Sequence, residues 1–227
     1  CGGTIALKRR QGADVTVAFM TDGAASDPGA APDELSHRRK DEAFAACRAL
    51  GVPADRVLWF GFPDGRLSGD AEVAAARVAS VLKQACPAQV FIPFGVEEHP
   101  DHTATGRIVA TVVNRYPERA APAVFEYPIW FWRHWPWVPV GGPEAFHLLG
   151  ASRRASFGGK LRREFTRRVD VASALDQKRA ALDEHRTQMT KTQANTGSLA
   201  DVSGGEFLKC FFEGHEWFRV LPPGRIP

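Results

Sequence analysis

Short, almost continuously apolar segments alternate along this chain with longer segments whose apolar residues recur every three or four positions. The apolar segments have the length and the β-branched and aromatic content of buried strands: DVTVAFMT (14–21), RVLWF (56–60), QVFIPFG (89–95) and AVFEY (123–127). Helical periodicity marks the intervening segments, among them residues 71–86 and 102–116. This β-α-β-α order predicts an α/β fold with a Rossmann-like, mainly parallel sheet and helices on both faces.

Glycines and capping residues indicate where several helices begin and end. The segment 2–12 is predicted to be a helix that stops at Gly12, because glycine readily adopts the left-handed conformation found after helices. Ser36 is predicted to cap the next helix, which stops at Gly51. A further helix is expected near residues 173–189, and the chain after it has the composition of a loop-rich tail.

The size and composition of the chain indicate one domain of a reduced, soluble protein. Its 227 residues suit a single α/β domain over residues 1–227. The formal net charge of +3 gives no reason to expect a nucleic-acid partner. The 4 cysteines form no CxxC pair, which favours free thiols and a cytoplasmic location. Prolines and charged residues interrupt the most apolar stretch, residues 125–140, so no membrane span is expected, since a span needs about 20 mostly apolar residues.

Three polar loops follow three of the predicted strands. They are TDG (21–23), GFPDG (61–65) and GVEEHPDH (95–102). In a parallel sheet the carboxyl ends of the strands meet at one edge, and open α/β sheets bind their ligands there. We therefore expect the three loops to form a single polar pocket.

The last of these loops carries two histidines three positions apart, His99 and His102. Pro100 and Asp101 predict a helix start at His102, since proline suits a first turn and aspartate caps exposed N–H groups. The positive end of that helix favours a neutral His102 that is available as a metal ligand. Asp101 is expected either to orient one imidazole or to cap the helix. A metal site, an acid/base pair and a plain helix start all remain compatible with the pattern.

A hydrolytic zinc site needs about three protein ligands and an open position for water. The remaining histidines of the chain have no ligand-like spacing with an acid: His37, His134, His147, His185 and His215. Residues 1–12 already have the pattern of a helix, with no strand before them. We therefore expect the other ligands, and any targeting segment, to lie upstream of Cys1.

Taken in order, these segments resemble the GlcNAc-phosphatidylinositol de-N-acetylase (PIG-L/LmbE-like) family of zinc-dependent deacetylases. The resemblance runs from residue 1 to about residue 190. Residues 1–23 are similar to the part of the family that follows its HPDDE motif. The other similar segments are RRKDEAFAACRALGV (38–52), FGFPDGRL (60–67), HPDHTATG (99–106) and KRAALDEHRTQM (178–189).

The resemblance implies a role for five residues. It makes His102 a ligand of Zn2+, while the other two ligands and the general base belong to the HPDDE motif. It makes His99 the residue that stabilises the oxyanion or protonates the leaving amine, with Asp101 in support. It also implies that Arg39 and Asp64 contact the substrate. The HPDDE motif is absent from this chain, so the resemblance implies an N-terminally truncated piece that is inactive by itself.

The implied reaction is metal-assisted removal of an acyl group from an N-acetylglucosamine-type amino-sugar conjugate. An amidase of a thiol-sugar conjugate is the alternative among enzymes. A non-catalytic α/β binding module with a degenerate metal pocket is the alternative outside them. A nucleotide-binding domain is disfavoured because no G-x-G-x-x-G follows a strand. The expected partner is a small molecule, and homo-oligomerisation is left open.

Three other features have plainer interpretations. The aromatic cluster is expected to form a second core or an interface, in preference to a sugar-stacking platform: Trp130, Phe131, Trp132, Trp135 and Trp137. The basic run 153–168 is expected to be a solvated loop and edge strand. Glu97 and Glu98 are expected to be solvated.

Overall fold

Helices and strands alternate through the first 127 residues of this computed structural model, which describes residues 1–27, 29–117, 120–133, 159–190 and 198–222. The strands are β1 Val17–Thr21, β2 Val57–Phe62, β3 Gln89–Pro93, β4 Ala123–Tyr127, β5 Arg167–Asp170 and β6 His215–Leu221. The helices are α1 Gly2–Arg10, α2 Pro32–Ala49, α3 Ala71–Ala85, α4 Pro100–Val113, α5 Gly159–Glu164, α6 Leu175–Asp183, α7 Arg186–Met189 and α8 Glu206–Lys209.

The strands form two sheets where a single one was expected. β1 and β2 are a parallel pair, and the other strands form a sheet in the order β3-β4-β6-β5. In that second sheet β3 and β4 are parallel, while β6 runs antiparallel to both β4 and β5. The α/β class is confirmed, and the described strands make one parallel sheet and one mixed sheet.

Helices cover both faces of this arrangement, as predicted. On one face α3 and α4 bury Val78, Leu82 and Ile108 against Ile92 of β3. On the other face Ile5 of α1 and Cys47 of α2 pack against Val57 of β2. The described helices are all too short or too polar to traverse a bilayer.

Two helices begin earlier than the sequence predicts, and the reason is the same in both. α2 starts at Pro32, so Ser36 lies inside the helix and caps nothing. α4 starts at Pro100, two residues before His102. Proline suits the first helical position because its missing N–H would have no partner there and its φ angle is already helical.

The second half of the chain adds two strands to the sheet. β6 lies in the region predicted to be a loop-rich tail, and it is the strand that joins β4 to β5. β5 lies at the edge of the sheet, which agrees with the edge strand expected for the basic run. Residues 153–158 of that run lie outside the described residues.

A second, aromatic core lies beside the sheet. Phe131 and Trp132 are 4% and 5% exposed. The ring of Trp130 stacks on Phe207 with 5.2 Å between centroids, and the guanidinium of Arg133 lies 5.7 Å from the centroid of the same indole. These contacts confirm the core interpretation for residues 130–132, whereas Trp135 and Trp137 lie outside the described residues.

A buried acid holds the first turn of α1. Glu216 of β6 accepts the backbone N–H groups of Gly3 (3.0 Å) and Thr4 (2.8 Å), and the ammonium of Lys178 lies 2.7 Å away. Burial alone would raise the pKa of Glu216, but the amino terminus, Lys178 and the hydrogen bonds outweigh it and lower the pKa to about 2. This ionised carboxylate at the helix N-terminus fixes α1 to the sheet.

A cavity of about 790 Å³ separates the two sheets, and residues of both β1 and β3 line it. Among the described residues, β1 pairs with β2 alone and β3 with β4 alone. Each strand therefore presents a backbone edge that no described strand covers. Asp101 and His102 line the same cavity, so it reaches the edge of the sheet where the polar loops lie.

Candidate active site

The three polar loops meet at the carboxyl ends of the strands, as predicted. Asp22 accepts the backbone N–H of Asp64 at 3.2 Å, and Asp64 accepts the N–H of Ala25 at 3.2 Å. Asp101 accepts the N–H of Gly65 at 2.7 Å. Each of the three loops therefore supplies a carboxylate that accepts a backbone N–H group of another segment and holds that segment in place.

Asp101 acts as a brace between α4 and the loop after β2. The residue is 5% exposed, and its two carboxylate oxygens accept the N–H groups of Gly65 (2.7 Å) and Leu67 (3.1 Å). Its own amide donates to Nδ1 of His99 at 3.3 Å. The N-cap of α4 is therefore His99, where the sequence suggested Asp101, and the imidazole contact runs through the amide of Asp101 and not through its carboxylate.

His99 and His102 lie side by side at the start of α4, with 5.0 Å between ring centroids. Because Nδ1 of His99 accepts a hydrogen bond, Nε2 carries the proton in the neutral ring. Nδ1 of His102 is buried and has no hydrogen-bond partner among the described residues, while 24% of the side chain is exposed. The nitrogen of His102 that remains available to a ligand is therefore Nε2.

Glu97 is a functional candidate that sequence reasoning missed. It was expected to be solvated, but its side chain has 0% exposure. Its two carboxylate oxygens accept the N–H groups of Ile129 and Trp130, each at 2.7 Å. The expectation was wrong because the contact with Ile129 spans 32 residues of sequence, and the local sequence pattern does not predict contacts of this length.

Arg39 and Asp64 also lie at this edge of the sheet. Nη1 of Arg39 donates to the carbonyl of Gly23, and its Nε is buried with no hydrogen-bond partner among the described residues. Burial raises the pKa of Asp64, and the charge of Asp101 raises it further, while the Ala25 N–H, His99 and Arg39 lower it. The five predicted site residues therefore lie in one region.

A second contact that the sequence did not reveal joins α2 to α7. Glu42 accepts the backbone N–H (2.8 Å) and the hydroxyl (2.7 Å) of Thr187. Burial lowers the pKa of the adjacent His185, Glu42 opposes the change and Arg39 reinforces it. The sequence offered no reason to include His185, since it had no ligand-like spacing. The fold nevertheless places it close enough to Arg39 for that charge to lower its pKa.

The described residues contain one set of three possible metal ligands: Asp64, His99 and Asp101, whose ligand atoms all lie within 4.8 Å of one another. Backbone N–H groups already occupy Asp101 and Nδ1 of His99, and one oxygen of Asp64. His102 is outside that set but has an unengaged nitrogen. Neutral imidazole is a preferred zinc ligand, so His102 is a further candidate beside this set.

The chain is similar to proteins of a known family. Residues 1–113, which include all five predicted site residues, match the family described as PIG-L: GlcNAc-PI de-N-acetylase. The probable N-acetyl-alpha-D-glucosaminyl L-malate deacetylase 2 of Bacillus cereus is 34% identical over 131 residues, which are 54% of this chain and 58% of that protein. The 1D-myo-inositol 2-acetamido-2-deoxy-alpha-D-glucopyranoside deacetylase of Rhodococcus opacus is 27% identical over 86% of this chain and 78% of its own.

The fold is shared with solved structures over nearly the whole chain. The N,N'-diacetylchitobiose deacetylase from Pyrococcus horikoshii superposes with a TM-score of 0.64 at 21% identity and covers 98% of this chain and 78% of its own. At that identity the likeness shows the fold and not the activity.

Proposed function

Since residues 1–113 form a PIG-L family domain, we propose that this protein is part of a zinc-dependent deacetylase that acts on an N-acetylglucosamine conjugate. The observation that carries the proposal is the convergence of the three polar loops around His99 and His102. Hydrogen bonds between Asp22, Asp64 and Asp101 and the loop backbones support that convergence.

The names of the two relatives support the substrate class. One acts on an N-acetyl-alpha-D-glucosaminyl group joined to malate, and the other on the corresponding group joined to inositol. We propose the same kind of substrate here, a 2-acetamido sugar on a small polar aglycone. Arg39 and Asp64 supply a cation and a carboxylate next to the histidines, which suits contacts to such a conjugate.

In the proposed mechanism His102 would hold the metal ion through Nε2. Zinc, when bound, lowers the pKa of a water molecule towards 7 and polarises an amide carbonyl. His99 keeps its proton on Nε2 because Nδ1 accepts the amide of Asp101. That N–H can donate a hydrogen bond to the oxyanion that develops as the amide is attacked. The departing amine takes the proton that a general base removes from the attacking water. Asp101 holds the loop, so that the imidazole stays in place.

One ligand does not make a zinc site, and we propose that the others come from a strand of the same polypeptide that precedes Cys1. The amino terminus of α1 lies 3.8 Å from Glu216, beyond the carboxyl end of β4, while Lys8 donates to Gln89 at the start of β3. α1 therefore runs antiparallel to the strands. A strand leading into α1 would lie in the cavity between β1 and β3, parallel to both, and would end beside His102.

This arrangement is tested by comparing residues 1–227 with the product of the reading frame that includes the codons before Cys1. We expect about one zinc per chain in the longer protein and none in residues 1–227, as measured by elemental analysis after dialysis. His102→Ala should abolish zinc binding and the release of acetate from an N-acetylglucosaminide. His37→Ala, on the exposed face of α2, is the matched control. Full zinc occupancy in His102→Ala, or tight binding by residues 1–227, would refute the proposal.

A further inference from the structure

Glu97 occupies an unusual position for an acid in a loop. Its side chain is completely buried, and both oxygens accept backbone N–H groups of the segment that follows β4. An ionised carboxylate is costly to bury, and the two charge-assisted hydrogen bonds at 2.7 Å offset that cost. The carboxylate is therefore held in one place and in one orientation.

An imidazole with an unassigned proton lies beside that carboxylate. Oε2 of Glu97 lies 3.9 Å from Nδ1 of His102, and Nδ1 has no hydrogen-bond partner among the described residues. If Nδ1 carries the proton, a buried N–H faces a negative charge. If Nε2 carries it, a buried lone pair faces the same charge, which is the less favourable arrangement.

We propose that Glu97 is the positioning residue of His102: it places the imidazole proton on Nδ1 and leaves the lone pair of Nε2 free for a ligand in the pocket. The inference rests on the proposed function only for the identity of that ligand, a divalent cation. A carboxylate behind a metal-bound histidine is a general means of fixing the tautomer and raising ligand basicity.

The same residue connects the histidine turn to the aromatic core. Glu97 holds the backbone at Ile129 and Trp130, and Trp130 stacks on Phe207. The orientation of His102 therefore depends on contacts with the packed aromatic core and not on a free loop. This link explains why an acid, and not an amide, stands at position 97: a glutamine offers one acceptor where two N–H groups and an imidazole need acceptors.

The direct test is to determine which ring nitrogen of His102 carries the proton in residues 1–227 with the wild-type sequence. Long-range ¹H–¹⁵N spectra recorded above the ordinary imidazole pKa of about 6.5 distinguish the two forms, and His102→Ala assigns the signals. A protonated Nδ1 supports the proposal, and a protonated Nε2 overturns it. The measurement needs neither bound metal nor activity, so its outcome is independent of the proposed function.

Glu97→Gln adds a second test, with the exposed Glu98→Gln as its control. Glu97→Gln should mix the two tautomers, and in the longer protein it should weaken zinc affinity by about 10- to 100-fold. Glu98→Gln should change neither. A tautomer population that is unchanged in Glu97→Gln overturns the proposal, and the wild-type spectrum decides it should the variant fail to fold.

Discussion

Replacing Asp101 by asparagine tests whether this residue is the brace that the structure shows. The substitution preserves the size of the side chain but removes the charge and one of two acceptors. The buried oxygens of Asp101 accept N–H groups at 2.7 and 3.1 Å. After the change, one of these N–H groups faces a side-chain NH2 group and has no acceptor.

The expected cost follows from those two contacts. A buried donor without a partner costs about 1–3 kcal/mol, and hydrogen bonds to charged groups are worth about 1.5–3 kcal/mol each. We therefore expect Asp101→Asn to lower the free energy of unfolding by about 3 kcal/mol. Because single domains are stable by only about 5–15 kcal/mol, the loss should be easily measured.

Urea unfolding followed by tryptophan fluorescence gives the free energy, and an unchanged m-value would show that the same transition is compared. The amides of Gly65 and Leu67 should also lose protection against hydrogen exchange. Asp41→Asn, on the exposed face of α2, should change stability by less than about 0.5 kcal/mol. If Asp101→Asn is as stable as this control, the carboxylate does not hold the loop and the account of the site is wrong.

Three further outcomes follow from contacts outside the histidine turn. The folded-state pKa of Glu216, about 2, is below the ordinary value of 4.5, so its contribution to stability is complete above pH 4.5 and is lost as the pH falls towards 2. At about 1.36 kcal/mol per pKa unit this contribution is about 3 kcal/mol. Unfolding curves of Glu216→Gln, measured over the same pH range, should lack this pH-dependent loss of stability. Gly3→Ala should cost about 1–3 kcal/mol because the new Cβ would lie 2.7 Å from Cβ of Val171. A double-mutant cycle with Val171→Gly, which removes that Cβ, should give a favourable coupling energy. Glu42→Gln should cost about 1–2 kcal/mol and expose the amide of Thr187 to hydrogen exchange, whereas an unchanged exchange rate would contradict the contact.

Features that depend on neighbouring residues could be predicted from the sequence. The order of strands and helices up to β4 follows from local apolar periodicity, and β4 has the predicted bounds, 123–127. The meeting of the three loops also followed, because parallel strands bring their carboxyl ends to one edge whatever the side chains are. The roles of individual site residues are a different matter, and those of His99, His102, Arg39 and Asp64 stay predictions.

Features that depend on distant residues could not be predicted. β6 has a short alternating pattern, with Glu216 and Phe218 buried, but its assignment as a strand depends on pairing with β4 and β5. Asp101 accepts the N–H of Gly65, which lies 36 residues earlier in the chain, and Glu97 accepts the N–H of Ile129, which lies 32 residues later. Spacing within a motif carries no information about contacts of this length.

The structure divides the charged and polar residues of this site into two groups with different tasks. Asp101 and Glu97 have both carboxylate oxygens occupied by backbone N–H groups, and Asp22 accepts two N–H groups through Oδ1, so these acids hold the loops together. In His99, Nδ1 accepts the amide of Asp101, and in His102, Nδ1 has no hydrogen-bond partner among the described residues. Because an aqueous cleft would otherwise let these rings rotate, the surrounding carboxylates are what make two histidines, three positions apart on a helix start, into a defined pair.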